Sequence, residues 1–189
     1  RTAGATRILM IDNSASMNAA DGPKGSTRLA EAKDQAHELV RSMAANDQAM
    51  AIVFGGRAQV LAPLTRDKDA LNAAIHRIEA TDAPDRIVDA IRLAKSVREV
   101  NPAARMTLIS DGGVGFLGDL IGEKDPIDFF PVGTSDDNRG IVAFDLREAF
   151  DQPGKLQAFA EVENFAAKPV SVRLLCSVNE DVVQVREAT

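Results

Sequence analysis

Hydrophobic residues change their spacing repeatedly along the first 135 positions. Arg7 to Ile11 reads Arg-Ile-Leu-Met-Ile, a short apolar run with no polar face, which predicts a strand buried on both sides. Leu29, Ala32, Ala36, Leu39, Val40 and Met43 then recur at helical spacing, behind Ser26 and Thr27, both good N-cap residues. Ala49 to Phe54 predicts a second strand, and Gly55-Gly56-Arg57 a tight turn into an antiparallel partner at Ala58 to Ala62. Leu71, Ala74, Ile75 and Ile78 mark a second helix started by Asp67. Ile87, Ala90, Ile91, Ala94 and Val97 mark a third, which stops before Asn101-Pro102. Met106 to Ser110 and Asp128 to Val132 complete the buried strands. Strands separated by helical patterns predict an α/β fold: a doubly wound, mostly parallel sheet with helices on both faces and one antiparallel edge strand.

After Gly133 the grammar changes. Thr134-Ser135-Asp136-Asp137-Asn138 is polar and turn-like, and reads as an interdomain linker. Beyond it Val142, Phe144 and Leu146 alternate with Ala143, Asp145 and Arg147. Val170, Val172, Leu174, Cys176 and Val178 alternate with Ser171, Arg173, Leu175, Ser177 and Asn179. This period of two, with turns at Gln152-Pro153-Gly154 and Ala167-Lys168-Pro169, predicts antiparallel strands. The expected division is a first domain over residues 1–138 and a partial immunoglobulin-like β-sandwich over 139–189. About four strands fit there, against about seven in a full sandwich. The missing edge calls for cover, from the first domain or by self-association through these strands.

Composition narrows the function. Of 189 residues, 45% are hydrophobic and 26% charged, ordinary globular usage. Asp and Glu number 28 against 22 Lys and Arg, a net charge of −6, which argues against nucleic acid as a partner. A single cysteine, Cys176, excludes an internal disulfide and a cysteine zinc cage, and its place in the alternation predicts a core thiol. His37 and His76 sit in helical segments among charged residues and read as solvated. No apolar run approaches the roughly 20 residues of a membrane span, so this stretch is expected not to insert into a bilayer. The chain opens at Arg1 rather than methionine, which reads as a processed product or an excised piece, so a targeting segment or anchor in the parent is compatible with it.

The candidate chemistry lies at two strand ends. The first strand runs directly into Asp12-Asn13-Ser14-Ala15-Ser16, and the fourth into Asp111-Gly112-Gly113. In a doubly wound sheet, ligands bind beyond the carboxyl ends of the strands where the strand order reverses. With strands ordered 3-2-1-4-5, that reversal places Asp12 and Asp111 across one crevice. Two carboxylates with two hydroxyls make a hard oxygen site, suited to Mg²⁺, Mn²⁺ or Ca²⁺ rather than zinc. Taken singly, Ser14 and Ser16 also read as satisfying loop amides, and Asp111-Gly112-Gly113 as a plain strand-ending turn.

Ile11-Asp12-Asn13-Ser14-Ala15-Ser16-Met17, the helix from Arg28, and Ile109-Ser110-Asp111-Gly112-Gly113 together resemble the von Willebrand factor type A domain. The resemblance covers about residues 5 to 134. It implies that Asp12, Ser14 and Ser16 are ligands of a metal-ion-dependent adhesion site and that Asp111 acts directly or through water. The family usually places a threonine before the helix containing Asp89-Ala90-Ile91, and the matching position here is Asp85. Asp85 reads either as a fifth ligand or as a helix-start acid after Pro84. The tail, with Gly140 to Phe144 and Ala160 to Phe165, resembles the β-sandwich that follows short type A domains in bacterial membrane-anchored proteins of the aerotolerance (BatA-like) kind.

The resemblance implies a non-enzymatic module in which a partner protein completes the coordination of a bound Mg²⁺, on the extracytoplasmic, periplasmic side of a membrane-anchored parent. Two other readings stand beside it. One is a structural piece of an envelope assembly with a vestigial metal site. The other is a metal-dependent hydrolase or phosphotransferase with Asp12 as nucleophile, which would need a general acid or base close by.

Overall fold

The computed structural model describes residues 4–112, 126–134, 139–150, 152, 154–164, 169–179 and 181–188. The chain divides into two compact units, Arg1–Thr134 and Ser135–Thr189. Gly113, Ser135 to Asn138, Pro153, Ala167 and Lys168, which carry parts of the motif and turn expectations above, lie outside the described residues.

The first unit holds strands β1 (Thr6–Ile11), β2 (Gln48–Val53), β3 (Gln59–Thr65), β4 (Arg105–Ser110) and β5 (Ile127–Pro131), with helices α1 (Arg28–Arg41), α2 (Lys68–His76) and α3 (Ile87–Val100). The sheet order is β3-β2-β1-β4-β5. β1 pairs in parallel with β2 and β4, β4 in parallel with β5, and β2 antiparallel with β3. The expected reversal at β1 and β4 and the antiparallel edge are both present. β3 runs further than the sequence pattern predicts, through Pro63 to Thr65. An edge strand tolerates proline, because one row of its amides has no partner strand to serve.

From Ile8 to Ile11, β1 is apolar without a break because it serves two cores. Leu9 and Ile11 face one cluster, built with Leu29, Ala32, Ala36 and Val40 of α1 and Leu71, Ala74 and Ile75 of α2. Ile8 and Met10 face the other, with Ile87, Ala90, Ile91 and Ala94 of α3. β2 alternates likewise, Ala49, Ala51 and Val53 on one side and Met50 and Ile52 on the other. Each fully buried Leu or Ile contributes about 1.5–3 kcal/mol relative to exposure, so this two-sided packing is the main force holding the strand ends in register. Thr27 caps α1 by accepting from the Ala30 amide at 3.1 Å, and Asp67 caps α2 by accepting from the Asp69 and Ala70 amides.

The second unit holds β6 (Arg139–Glu148), β7 (Leu156–Asn164), β8 (Val172–Val178) and β9 (Asp181–Ala188). They pair antiparallel as two separate two-stranded sheets, β6 with β7 and β8 with β9. Cys176 is half-buried rather than a core thiol. With only two strands in its sheet, little is stacked on it.

Candidate metal site

The ends of β1 and β4 meet through main chain and side chain together. The Asp12 amide continues the ladder by donating to the Ile109 carbonyl at 2.9 Å. Asp12 is only 2% exposed, and both its carboxylate oxygens are engaged. Oδ1 accepts from the Ser14 amide at 2.9 Å, and Oδ2 accepts from the Ser110 hydroxyl at 2.7 Å. Ser14 is buried and Ser16 half-buried on the short 3-10 turn Ala15–Asn18, with their hydroxyl oxygens 3.3 Å apart.

Burial pushes the Asp12 carboxyl above the usual aspartate range, and the negative charge of Asp111 adds to that. The hydrogen bonds from Ser14 and Ser110 pull the other way. A buried carboxylate whose charged form is disfavoured is a place where a cation lowers the energy. With two hydroxyls alongside, the donor set is all hard oxygen, and it fits Mg²⁺, Mn²⁺ or Ca²⁺. Among the described residues no three Asp, Glu, His or Cys side chains form a cluster able to hold a metal ion. A cation here would therefore lean on the serine hydroxyls and on water.

Asp111 is also tied down. Its Oδ2 accepts from Arg28 Nη1 at 2.7 Å, and the two side chains are 5% and 4% exposed. Arg28 Nε and Nη2 donate in parallel to Oδ1 and Oδ2 of Asp21, each at 2.8 Å. The guanidinium is held firmly protonated, chiefly by Asp21 and then, against the cost of burial, by Asp111.

Asp85 lies in the loop before α3, whose backbone pairs with Gly55 beyond β2. Its Oδ1 accepts from the Ile87 amide at 3.2 Å, at the start of α3. Thr81, in the same loop, spends its amide and its hydroxyl on the Asn13 carbonyl, at 2.8 and 3.1 Å. The loop also reaches the serine turn, where the Ala15 amide donates to the Ala83 carbonyl at 3.0 Å.

Two residues central to this arrangement carry no motif signal. Asn13 stands between Asp12 and Ser14 with no motif role, yet it is buried and clamps three loops. Its Oδ1 accepts from the Gly55 amide at 2.6 Å, and its Nδ2 donates to the Glu79 carbonyl at 2.9 Å. Gly55 is required by this approach, since a Cβ there would sit 2.6 Å from the Asn13 carbonyl oxygen. Arg28 looks in sequence like an ordinary cation at a helix start. Its burial between Asp21, seven residues back, and Asp111, 83 residues on, leaves no mark in the local sequence. His37 is half-buried and shares a hydrogen bond with Asn72 at 2.7 Å between α1 and α2, rather than being solvated, while His76 is exposed.

Residues 8–114 match the family described as von Willebrand factor type A domain. Over 117 residues the chain is 32% identical to a UPF0353 protein of Nocardia farcinica, covering 57% of this chain and 34% of that one. The chain thus spans about a third of that relative's length. Two solved structures resemble the fold over most of both chains. BatB from Bacteroides thetaiotaomicron aligns with a TM-score of 0.60 at 21% identity, over 86% of this chain and 82% of its own. An aerotolerance-related membrane protein from Bacteroides fragilis aligns with a TM-score of 0.61 at 24% identity, over 83% and 82%.

Proposed function

Because the chain belongs to the von Willebrand factor type A domain family, we propose that its first unit is a non-enzymatic protein-binding module that captures its partner through a divalent cation. The observation that carries this reading is the placement of buried Asp12 and half-buried Asp111, with Ser14 and Ser16, beyond the ends of β1 and β4 where the sheet order reverses. Asp12, Ser14, Ser16 and Asp111 would hold the cation, and Asp85, which forms no carboxylate cluster with them among the described residues, would reach it through water. A bound Mg²⁺ keeps exchangeable waters, one of which an oxygen of the partner can replace.

The residues themselves orient the site. Ser110 and the Ser14 amide hold the Asp12 carboxylate from both oxygens, and Asn13 keeps the serine turn against the ends of β2 and α2. That arrangement leaves Asp12 poorly suited to nucleophilic attack, and the histidines lie on α1 and α2, His37 bonded to Asn72, which speaks against the hydrolase alternative. Among the described residues no helix is long and apolar enough to cross a membrane. We place this module outside the cytoplasm on a membrane-anchored parent, a reading supported by its fold likeness to an aerotolerance-related membrane protein.

A second reading has its own support. Arg28 already sets a cation 2.7 Å from Asp111, which favours a structural module that needs no metal. Calorimetric titration of Mg²⁺ into wild type and Asp12→Ala, with partner capture from source-cell extract in Mg²⁺ and in chelator, separates the two. Metal binding lost in Asp12→Ala, together with capture lost in chelator, is the expected result. Capture that survives chelator supports the metal-free module and refutes the metal bridge.

A further inference from the structure

We infer that Arg28 is the positioning residue for Asp111, and that its guanidinium limits how Asp111 can serve a cation; this rests on the metal-dependent reading above. Arg28 stands where local electrostatics disfavour it. It is the first residue of α1, at the positive end of the helix dipole, and its side chain is 4% exposed. A guanidinium is kept in such a place only if its partners compensate for both burial and dipole.

Those partners form a directional device. The parallel pair of hydrogen bonds to Asp21 fixes the plane of the guanidinium, and with it the direction of the remaining Nη1. Asp111 Oδ2 lies along that direction at 2.7 Å. Asp21 is steadied in turn, since its backbone carbonyl accepts from the Thr134 hydroxyl at 2.8 Å. The arginine stem lies against Gly133, whose φ is +81° and where an added Cβ would sit 2.7 Å from Nε and 3.1 Å from Cδ. The Gly133 amide donates to Glu31 of α1 at 2.9 Å, locking that segment over the stem.

Oδ2 of Asp111 is therefore committed to Arg28. With one lone pair of Oδ2 given to Arg28, Asp111 is turned away from clamping a cation with both oxygens at once. Lysine cannot substitute, because it supplies a point charge without the planar fork that sets the direction.

The test titrates Mg²⁺ calorimetrically into the full chain as wild type, Arg28→Lys, Asp111→Asn and the double variant, with thermal melts in chelator alongside. Lysine keeps the positive charge, so a change in affinity reports geometry. Arg28→Lys is expected to weaken Mg²⁺ binding tenfold or more, the usual size for a residue that orients a ligand. In the Asp111→Asn background the same substitution is expected to change affinity less than twofold, because the arginine acts through Asp111. Equal losses in both backgrounds, or no loss in Arg28→Lys alone, overturn the inference while leaving the metal site standing. A wild type that binds no Mg²⁺ overturns the metal reading and this inference with it. If Arg28→Lys does not fold in chelator, Asp21→Asn loosens the fork while keeping the arginine. The same loss, with the same dependence on Asp111, is then required.

Discussion

Replacing Asn13 by alanine isolates the clamp that holds the site loops together. The Asn13 main-chain bonds to Thr81 survive the change, so only the side-chain bonds to Gly55 and Glu79 are lost. The Gly55 contact is buried, and leaving its N–H without a partner costs about 1–3 kcal/mol. Glu79 is exposed, so water replaces the amide at its carbonyl and the loss there is about 0.5–1 kcal/mol. The total is about 1.5–4 kcal/mol, which for a domain of this size lowers the melting temperature by roughly 6–16 °C. Among the described residues all three α-helices lie in the first unit, so far-ultraviolet circular dichroism at the helix bands follows that unit. Urea unfolding in chelator gives the free energy directly. A destabilisation under about 0.5 kcal/mol would show that the loops are held by their main chains and that the clamp is incidental.

Three more expectations follow from the same geometry. Burial raises the Asp12 carboxyl in the folded state, so the native chain binds that proton more tightly than the unfolded chain, and metal-free stability falls as pH rises from the ordinary value of 3.8 toward the raised one. Asp12→Asn should therefore melt above wild type in chelator at pH 7, with the gap closing below pH 3.8, and below wild type in excess Mg²⁺, where binding at about 100 times Kd adds about 2.7 kcal/mol to wild type alone; a melt in chelator at or under wild type contradicts the assignment. Asp85→Asn keeps an acceptor for the Ile87 amide, so melting should hold steady while Mg²⁺ affinity drops; unchanged affinity reduces Asp85 to a helix-start acid. A fragment of residues 139–189 should show no cooperative thermal transition, because two-stranded sheets are marginal alone and Phe144, Leu156 and Leu175 are 64, 69 and 62% exposed; a sharp transition in a monomeric fragment counts against this.

The architecture of the first unit could be read from sequence because its strands and helices bury apolar residues in different rhythms. Ile8 to Ile11 has no polar face since both faces are covered, and the helical spacing of Leu29 to Val40 names the side that α1 turns inward. Asp12 and Asp111 were recognisable because each directly follows such a strand. Asn13 and Arg28 were not, because Asn13 bonds to Gly55 42 residues away, Arg28 links nearby Asp21 to Asp111 83 residues on, and neither residue type announces a buried bond. Ser110 was hidden for the same reason, its hydroxyl reaching Asp12 across 98 positions. In the second unit the period of two was plain, but alternation says only which residues share a face. It does not say which strand pairs with which, and the pairing proved to be two hairpins.

The central place of β1 also sets an order of assembly. β1 and β2 can pair once α1 is made, but the other edge of β1 waits for β4, which follows about a hundred residues after it. Until then a strand with no polar face keeps an open row of amides and carbonyls, the template that edge pairing exploits. A ribosome-bound chain that has emerged only as far as α3 is thus the form most exposed to mispairing. The bond between Asp12 and Ser110 cannot form before that gap closes, so the carboxylate pocket is among the last features of this unit to come into being.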